Sequence, residues 1–244
     1  MEKQALFLLL ALLAEIIGTV SGFGSSILFV PIASLFFDFK TVLGITAIFH
    51  VFSNLSKIAL FREGVKKEIV IKLGIPAVVF VIIGALLTNY IPTVHMEFIM
   101  NIMLVVLSIF LLFYFNKPLE QSNKNLYLGG IISGFLAGLL GTGGAIRGIT
   151  LTAFQLPKNI FVATSAVIDL GVDSSRAIVY IAQGYFDSAN LYLILFLVVT
   201  SLVGSYIGKI ILKYTSEKVF RYLVLAIVIA SAAYQIFKYI QAAN

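Results

Sequence analysis

The sequence predicts an all-α, polytopic transmembrane protein made of two inverted repeats, each a Gly-broken re-entrant helical hairpin followed by three transmembrane helices. Three observations carry this. The 244 residues are 60% apolar and 11% charged, with a mean hydropathy of +1.06; soluble domains are about 45–50% apolar and about 25% charged. Apolar runs of about twenty residues, enough to cross a bilayer, recur from end to end. Two apolar segments are over-long and interrupted at their middles by glycines in matching register. This composition excludes a soluble enzyme, a nucleic-acid-binding domain and a disordered chain. The alternation of a membrane β-barrel is also missing.

Residues 4–37 form the first segment, too long for one span and too short for two. Its middle, Gly18-Thr-Val-Ser-Gly-Phe-Gly-Ser-Ser26, is poor helix. Apolar runs follow at 41–61, 69–91 and 96–115, then a polar stretch at 116–125. A second broken segment covers 126–156, with Gly141-Thr-Gly-Gly144 at its centre, and runs at 159–182, 191–212 and 219–239 complete the chain. The chain thus divides into a first repeat (1–116), a linker (117–125) and a second repeat (126–244). An offset of 119 places Gly22 on Gly141, Gly24 on Gly143 and Thr46 on Ser165. The same offset places His50, Asn54 and Lys57 on Asp169, Asp173 and Arg176. An offset of 120 places Gly84 on Gly204 and Glu97 on Glu217. In so apolar a chain, shared glycines and rare polar positions are the informative matches.

The net charge of +6 reads as basic cytoplasmic loops facing anionic lipid. The loop after the first repeat's second segment carries Arg62, Lys66 and Lys67, and the next, at 92–94, has no Lys or Arg. In the second repeat the pattern swaps: 183–188 has none, and the following loop carries Lys209, Lys213, Lys218 and Arg221. Equivalent loops therefore face opposite sides. Inversion needs an odd number of crossings per repeat, so each broken segment must enter and leave on one side, with the linker cytoplasmic and both termini outside. Eight ordinary spans in parallel halves is the rival arrangement. Cysteine is absent, which excludes disulfides and thiolate chemistry. Trp is absent too, so an aromatic belt rests on tyrosines such as Tyr90, Tyr127 and Tyr239. The N-terminal run is not read as a signal peptide, because Glu15 lies inside it and no clean cleavage site follows. The expected partners are a small anionic substrate and the lipid bilayer, and the apolar surface is compatible with a homodimer. No nucleic acid, metal or other cofactor is expected.

Non-helical backbone at membrane depth is tolerated only where it is covered by protein or lines a cavity. Helices starting after the two breaks aim free N–H groups and positive dipole ends into that cavity. The candidate anion-binding residues are Gly22, Phe23, Gly24, Ser25 and Ser26 from the first break, and Gly141, Thr142, Gly143, Gly144 and Arg147 from the second. The plainer reading is that the glycines only let helices pack closely. Arg147 lies inside an apolar helix, where it costs about 2.5–3.5 kcal/mol unless an Asp or a bound anion offsets it. His50, Asn54, Asp173 and Arg176 share helix faces and are candidates for gating or a proton relay. Asp173 can pair with Arg176 or with Arg147. Asp169 reads as a structural ion-pair partner, and Lys57 and Lys72 as side chains that snorkel to the surface. No HExxH or P-loop is present. A serine hydrolase would need Ser21 activated by His50, which nothing in the flanking residues supports.

The two breaks read Ser21-Gly-Phe-Gly-Ser-Ser26 with Val30-Pro31, and Gly141-Thr-Gly-Gly-Ala-Ile-Arg147 with Leu156-Pro157-Lys158, then Ala163-Thr-Ser-Ala166. This pattern resembles the sulfite and organosulfonate exporter family (TauE/SafE), over essentially the whole chain. The family's run of three glycines is Gly-Ser-Ser in the first copy and Gly-Gly-Ala in the second, which changes the groups lining the proposed site. The resemblance implies a bacterial inner-membrane secondary transporter, an exporter of small sulfur-containing anions such as sulfite or organosulfonates, and not an enzyme. Alternating access would rock one repeat against the other. An anion channel with the same site, or a non-transporting membrane enzyme or subunit, are the alternatives.

Overall fold

The structure is a computed structural model that describes residues 2–114, 119–186, 191–214, 216 and 237. Apart from Phe237, the expected last span (219–239, with Tyr239) lies outside them, as do the charges Glu217, Lys218 and Arg221 and the Glu97 side chain. Among the described residues every regular element is helical. A long and a short helix, α1 (Glu2–Ser21) and α2 (Ser26–Ala33), precede α3 (Phe39–Leu60). The short α4 (Lys67–Ile69) runs through a π-helical stretch, Val70–Gly74, into α5 (Ile75–Leu87), and α6 is Thr93–Tyr114. A second long-and-short pair, α7 (Asn123–Leu140) and α8 (Gly144–Thr152), precedes α9 (Lys158–Ala182) and α10 (Leu191–Leu212). Among the described residues four helices, Glu2–Ser21, Phe39–Leu60, Lys67–Leu87 and Tyr192–Leu212, are long and apolar enough to cross a membrane. Twenty helical residues span about 30 Å, the thickness of the hydrocarbon core.

Local chemistry sets where the helices begin and end. Asp38 caps α3 by accepting the Thr41 N–H at 3.1 Å, and Ser122 caps α7 through Asn125 at 3.2 Å. α7 stops at Gly141, whose φ of 78° is a left-handed conformation only glycine adopts cheaply. Each short helix doubles back along its long partner. Phe29, Phe36 and Phe37 pack on Phe7 with ring centroids 5.8, 5.4 and 5.0 Å apart, and Ser25 lies against Gly18. Thr150 lies against Gly129 and Gly143 against Ser133 in the second pair. Both hairpins thus return the chain to the end where their long arm began.

The other contacts fix directions. α3 and α9 run antiparallel: Gly44 meets Tyr185, Asn54 meets Asp173, and the Lys66 N–H donates to Thr164. α1 runs parallel to α10, with Gln4 bonded to Tyr192 at one end and Thr19 against Gly208 further along. α7 runs parallel to α5, and that seam is glycine-built. A Cβ on Gly130, Gly134 or Gly138 would sit 2.3, 2.2 or 2.1 Å from the carbonyls of Leu73, Ala77 and Val81. Lipid tails are as apolar as leucine, so helices associate through such close backbone packing rather than by hiding apolar area. The opposite surfaces, including Ile75, Ile178, Leu195 and Val199, stay exposed and apolar.

A fully buried carboxylate ties the first hairpin to its neighbours. Glu15 Oε1 accepts from Ser53 at 2.6 Å, Ser205 at 2.8 Å and Thr19 at 3.1 Å, and faces Lys57 Nζ at 2.9 Å. Its Oε2 accepts from Ser25 at 2.6 Å. Four helical elements therefore converge on one side chain. Lys57 does not snorkel as expected but is 4% exposed, because a carboxylate lies within its reach inside the bundle. Lys72 does lie at an end, bonded to Glu68 and Asn123.

Two outcomes follow for the purified protein melted in detergent. Gly138→Val lowers stability by about 1–3 kcal/mol or more through overpacking, whereas lipid-facing Leu202→Ala stays within about 0.5 kcal/mol of wild type. Lys57→Met, which strands Glu15, costs about 3–5 kcal/mol, and adding Glu15→Gln recovers most of it. A double variant no more stable than Lys57→Met would show that the ion pair does not hold these helices.

Candidate functional site

The two chain reversals, at 22–25 and 141–143, meet inside the bundle. The Phe23 carbonyl lies so close over Gly144 that a Cβ there would be 2.1 Å away, and the Phe23 ring covers Gly148. Thr142 Oγ1 donates to Ser26 Oγ at 3.4 Å. The reversals are alike at Gly22 and Gly141, with φ of 69° and 78°, and differ at the next pair. Gly24 has a φ of 83°, whereas Gly143 has a φ of −145° and must be glycine because a Cβ would sit 2.0 Å from the Ser133 carbonyl. α2 and α8 start here, so their first N–H groups lack helical acceptors and their positive ends lie together.

Between the reversals and the facing helices α3 and α9 lies a buried polar cavity. Gly24, Ser25 and Ser26 border it from the first hairpin, and Gly141, Gly143 and Arg147 from the second. α3 contributes His50, Asn54 and Lys57; α9 contributes Asp169, Asp173 and Arg176. The remaining candidates stand behind it. Gly22 and Phe23 pack on Phe161, Thr142 bonds Ser26, and Gly144 seats the Phe23 carbonyl, so these four shape the reversals without bordering the space. The space open to the centre of a water molecule is about 10 Å³, room for about one water.

Arg176 uses its whole guanidinium. Nε donates to Asp173 at 2.8 Å, Nη1 to the Gly141 carbonyl at 2.8 Å, and Nη2 to Asp173 at 2.7 Å and to His50 Nδ1 at 3.2 Å. It therefore satisfies a carbonyl freed where α7 ends. The second oxygen of Asp173 accepts from Asn54 at 2.7 Å, joining two positions 119 residues apart. Arg147 pairs through Nη2 with Asp169, not with Asp173, while its Nε and Nη1 have no hydrogen-bond partner. Asp169 also accepts from Ser165 at 3.1 Å.

Donor chemistry sets the direction of the chain through His50. Arginine only donates, so Nδ1 must accept; Nε2 then carries the hydrogen and donates to Ser25 Oγ at 2.9 Å. The Ser25 hydroxyl in turn donates to Glu15. A nucleophilic serine needs the reverse, with its proton aimed at the imidazole. Ser21 donates to the Gly18 carbonyl and is not bonded to His50. Among the described residues no group of three or more His, Asp or Glu could hold a metal ion.

Sequence reasoning did not anticipate the Glu15 cluster with Ser53 and Ser205, nor Tyr180, whose hydroxyl donates to the Gly138 carbonyl at 2.5 Å. A signal was present. Lys57 falls on Arg176 in the 119-residue register, so two buried cations at equivalent positions each demand a buried acid.

The profile of the family described as "Sulfite exporter TauE/SafE" matches residues 7–235. The "Probable membrane transporter protein MJ0441" of Methanocaldococcus jannaschii is 31% identical over 164 residues, 61% of each chain, so the chain spans less than two thirds of that relative. No solved structure matches. With the family profile covering nearly its whole length and its apolar helices long enough to cross a membrane, the chain belongs to the TauE/SafE sulfite exporter family of membrane transporters.

Proposed function

We propose that this protein is a secondary transporter that exports small sulfur-containing anions, such as sulfite or organosulfonates, across a bacterial inner membrane, binding them between the two glycine reversals. The observation that carries this is Arg147: a buried guanidinium with two unpartnered nitrogens at a cavity where two positive helix ends converge. A guanidinium fork suits an oxyanion. Gly24, Ser25, Ser26, Gly141 and Gly143 supply backbone approach and hydroxyls beside it. His50, Asn54, Asp173 and Arg176 bond α3 to α9 and are the gating groups. The cavity must widen before an anion fits, which favours alternating access over a permanently open pore.

Inverted repeats are part of the proposal. Supporting it, the register-equivalent helices α3 and α9 run antiparallel, and α1 pairs with α10 as α7 pairs with α5. Lys66, Lys72, Lys124, Lys158 and Lys209 gather toward one end, which is then the cytoplasmic face. The other end carries Thr88, bonded to both Gln183 and Tyr185, with one lysine, Lys40, over the Tyr185 ring.

Transport is tested by counterflow in proteoliposomes and by ligand-dependent melting with sulfite, thiosulfate, sulfonates, sulfate and carboxylates. Arg147→Ala abolishes flux, and Arg147→Lys lowers it at least about tenfold while remaining folded, since a charge-assisted hydrogen bond is worth about 1.5–3 kcal/mol. Normal flux with Lys would rule out fork recognition. The cysteine-free chain also permits a clean topology test. A cysteine at exposed Gly184, where a Cβ meets open space, reacts with an impermeant maleimide from outside, and one at exposed Val65, in the equivalent loop of the first repeat, only after permeabilisation. Labelling of both from the same side contradicts the inverted arrangement.

A further inference from the structure

We infer that each anion binds together with one proton, because the anion and Asp169 compete for Arg147 and the displaced Asp169 carboxylate takes up the proton. This rests on the anion-transport reading above and names the coupling that reading leaves open. The premise is charge balance. Among the described residues, three buried acids meet three buried bases in contact pairs: Glu15 with Lys57, Asp169 with Arg147, and Asp173 with Arg176. A monovalent anion entering this set leaves one uncompensated negative charge away from water, which is strongly disfavoured.

The pairs differ in how much else holds them. Glu15 has four hydroxyl donors besides Lys57. Asp173 has both oxygens engaged, by Arg176 and Asn54, and Arg176 is saturated. Asp169 has Arg147 and one hydroxyl, Ser165, and Arg147 keeps two nitrogens unpartnered. So the Asp169–Arg147 pair is the one with spare donors on the cation and few on the acid, and it borders the cavity. His50 is the other candidate acceptor. Its Nε2 donates to Ser25 and Arg176 donates into its Nδ1, so a second proton would face a donor. The charged and titratable groups around Asp169 are Arg147 from α8, His50 and Lys57 from α3, and Asp173 and Arg176 on α9 itself. Lys57 and Arg176 are held by their own acids, so neither replaces Arg147. α5 contributes no charged residue, and on the preceding π-helical stretch Lys72 is bonded to Glu68 and Asn123.

The step balances. The Arg147–Asp169 ion pair opens, the anion takes the guanidinium, and one proton from the aqueous side that the cavity faces bonds to an Asp169 oxygen. The three pairs sum to zero charge before, and with the anion and the proton they sum to zero after. The cycle then moves no net charge, and export runs on the concentration gradients of anion and proton, not on the membrane potential.

The test uses the full chain in proteoliposomes with isethionate, a sulfonate that stays fully ionised and cannot itself carry a proton. An inward isethionate gradient should acidify a lumenal pH dye by one proton per anion, with the same flux at clamped potentials of either sign. Isethionate binding, read by melting, should weaken at least about tenfold per two pH units on the alkaline side. Asp169→Asn should make binding independent of pH, abolish acidification and make any remaining flux follow the potential; Asp169→Glu should keep acidification. Isethionate flux without acidification, or acidification that survives Asp169→Asn, overturns the coupling and leaves transport standing. Failure of wild type to exchange either isethionate or sulfite overturns transport and coupling together. Should Asp169→Asn not fold, the wild-type stoichiometry and Asp169→Glu still decide.

Discussion

A charge taken out of water must meet its opposite, and that demand organises the interior of this protein. An unpaired ion in a low-dielectric setting costs several kcal/mol even after relaxation. Here Glu15, Asp169 and Asp173 meet Lys57, Arg147 and Arg176 inside a bundle whose outer surface is largely apolar. Each pair restricts which helices can be neighbours. Glu15 with Lys57 and Ser205 holds α1 to α3 and α10; Arg147 with Asp169 holds α8 to α9; Arg176, through Gly141 and His50, joins α9 to α7 and α3.

Glycine meets the complementary demand. The backbones of α5 and α7 approach too closely for any Cβ at Gly130, Gly134 and Gly138, and the Phe23 carbonyl seats on Gly144 in the same way. Where the chain reverses, left-handed glycines let it turn within a few residues, and the freed polar groups are taken up by protein: Arg176 bonds the Gly141 carbonyl. Close backbones and cancelled charges together leave a polar cavity between the reversals. The three pairs are not equal in support. The one bordering the cavity from α8 is the least reinforced, and that inequality separates groups that hold the bundle from groups free to exchange partners.

Composition and hydropathy alone made the class legible, because a chain this apolar cannot solvate its surface in water. The matched glycines made the helix ends near Ser21 and Leu140 legible, since glycine's helix penalty is local. The 119-residue register was also informative: Asn54 and Asp173, aligned by it, are hydrogen-bonded to each other. Other matters escaped the sequence. Lys57 reads as a snorkelling lysine until Glu15 is seen one helix away. Arg147 reads from the sequence as a candidate partner of Asp173, and the rotation of α8 against α9 gives it Asp169 instead. Gly24 and Gly143 align in register yet differ in conformation, one serving a turn and the other a close contact.

What the sequence by itself determined is therefore what short-range physics decides: helical spans, their breaks, the apolar exterior, and the presence of interior charges that must find partners. What only the tertiary structure decided is the pairing: which acid meets which base, which donors are left over, and which glycines border the cavity rather than shape the turns behind it. Helix propensity and hydropathy act over a few residues. The match between Glu15 and Lys57, or Arg147 and Asp169, depends on the rotation and depth of helices far apart in the chain, which packing alone sets.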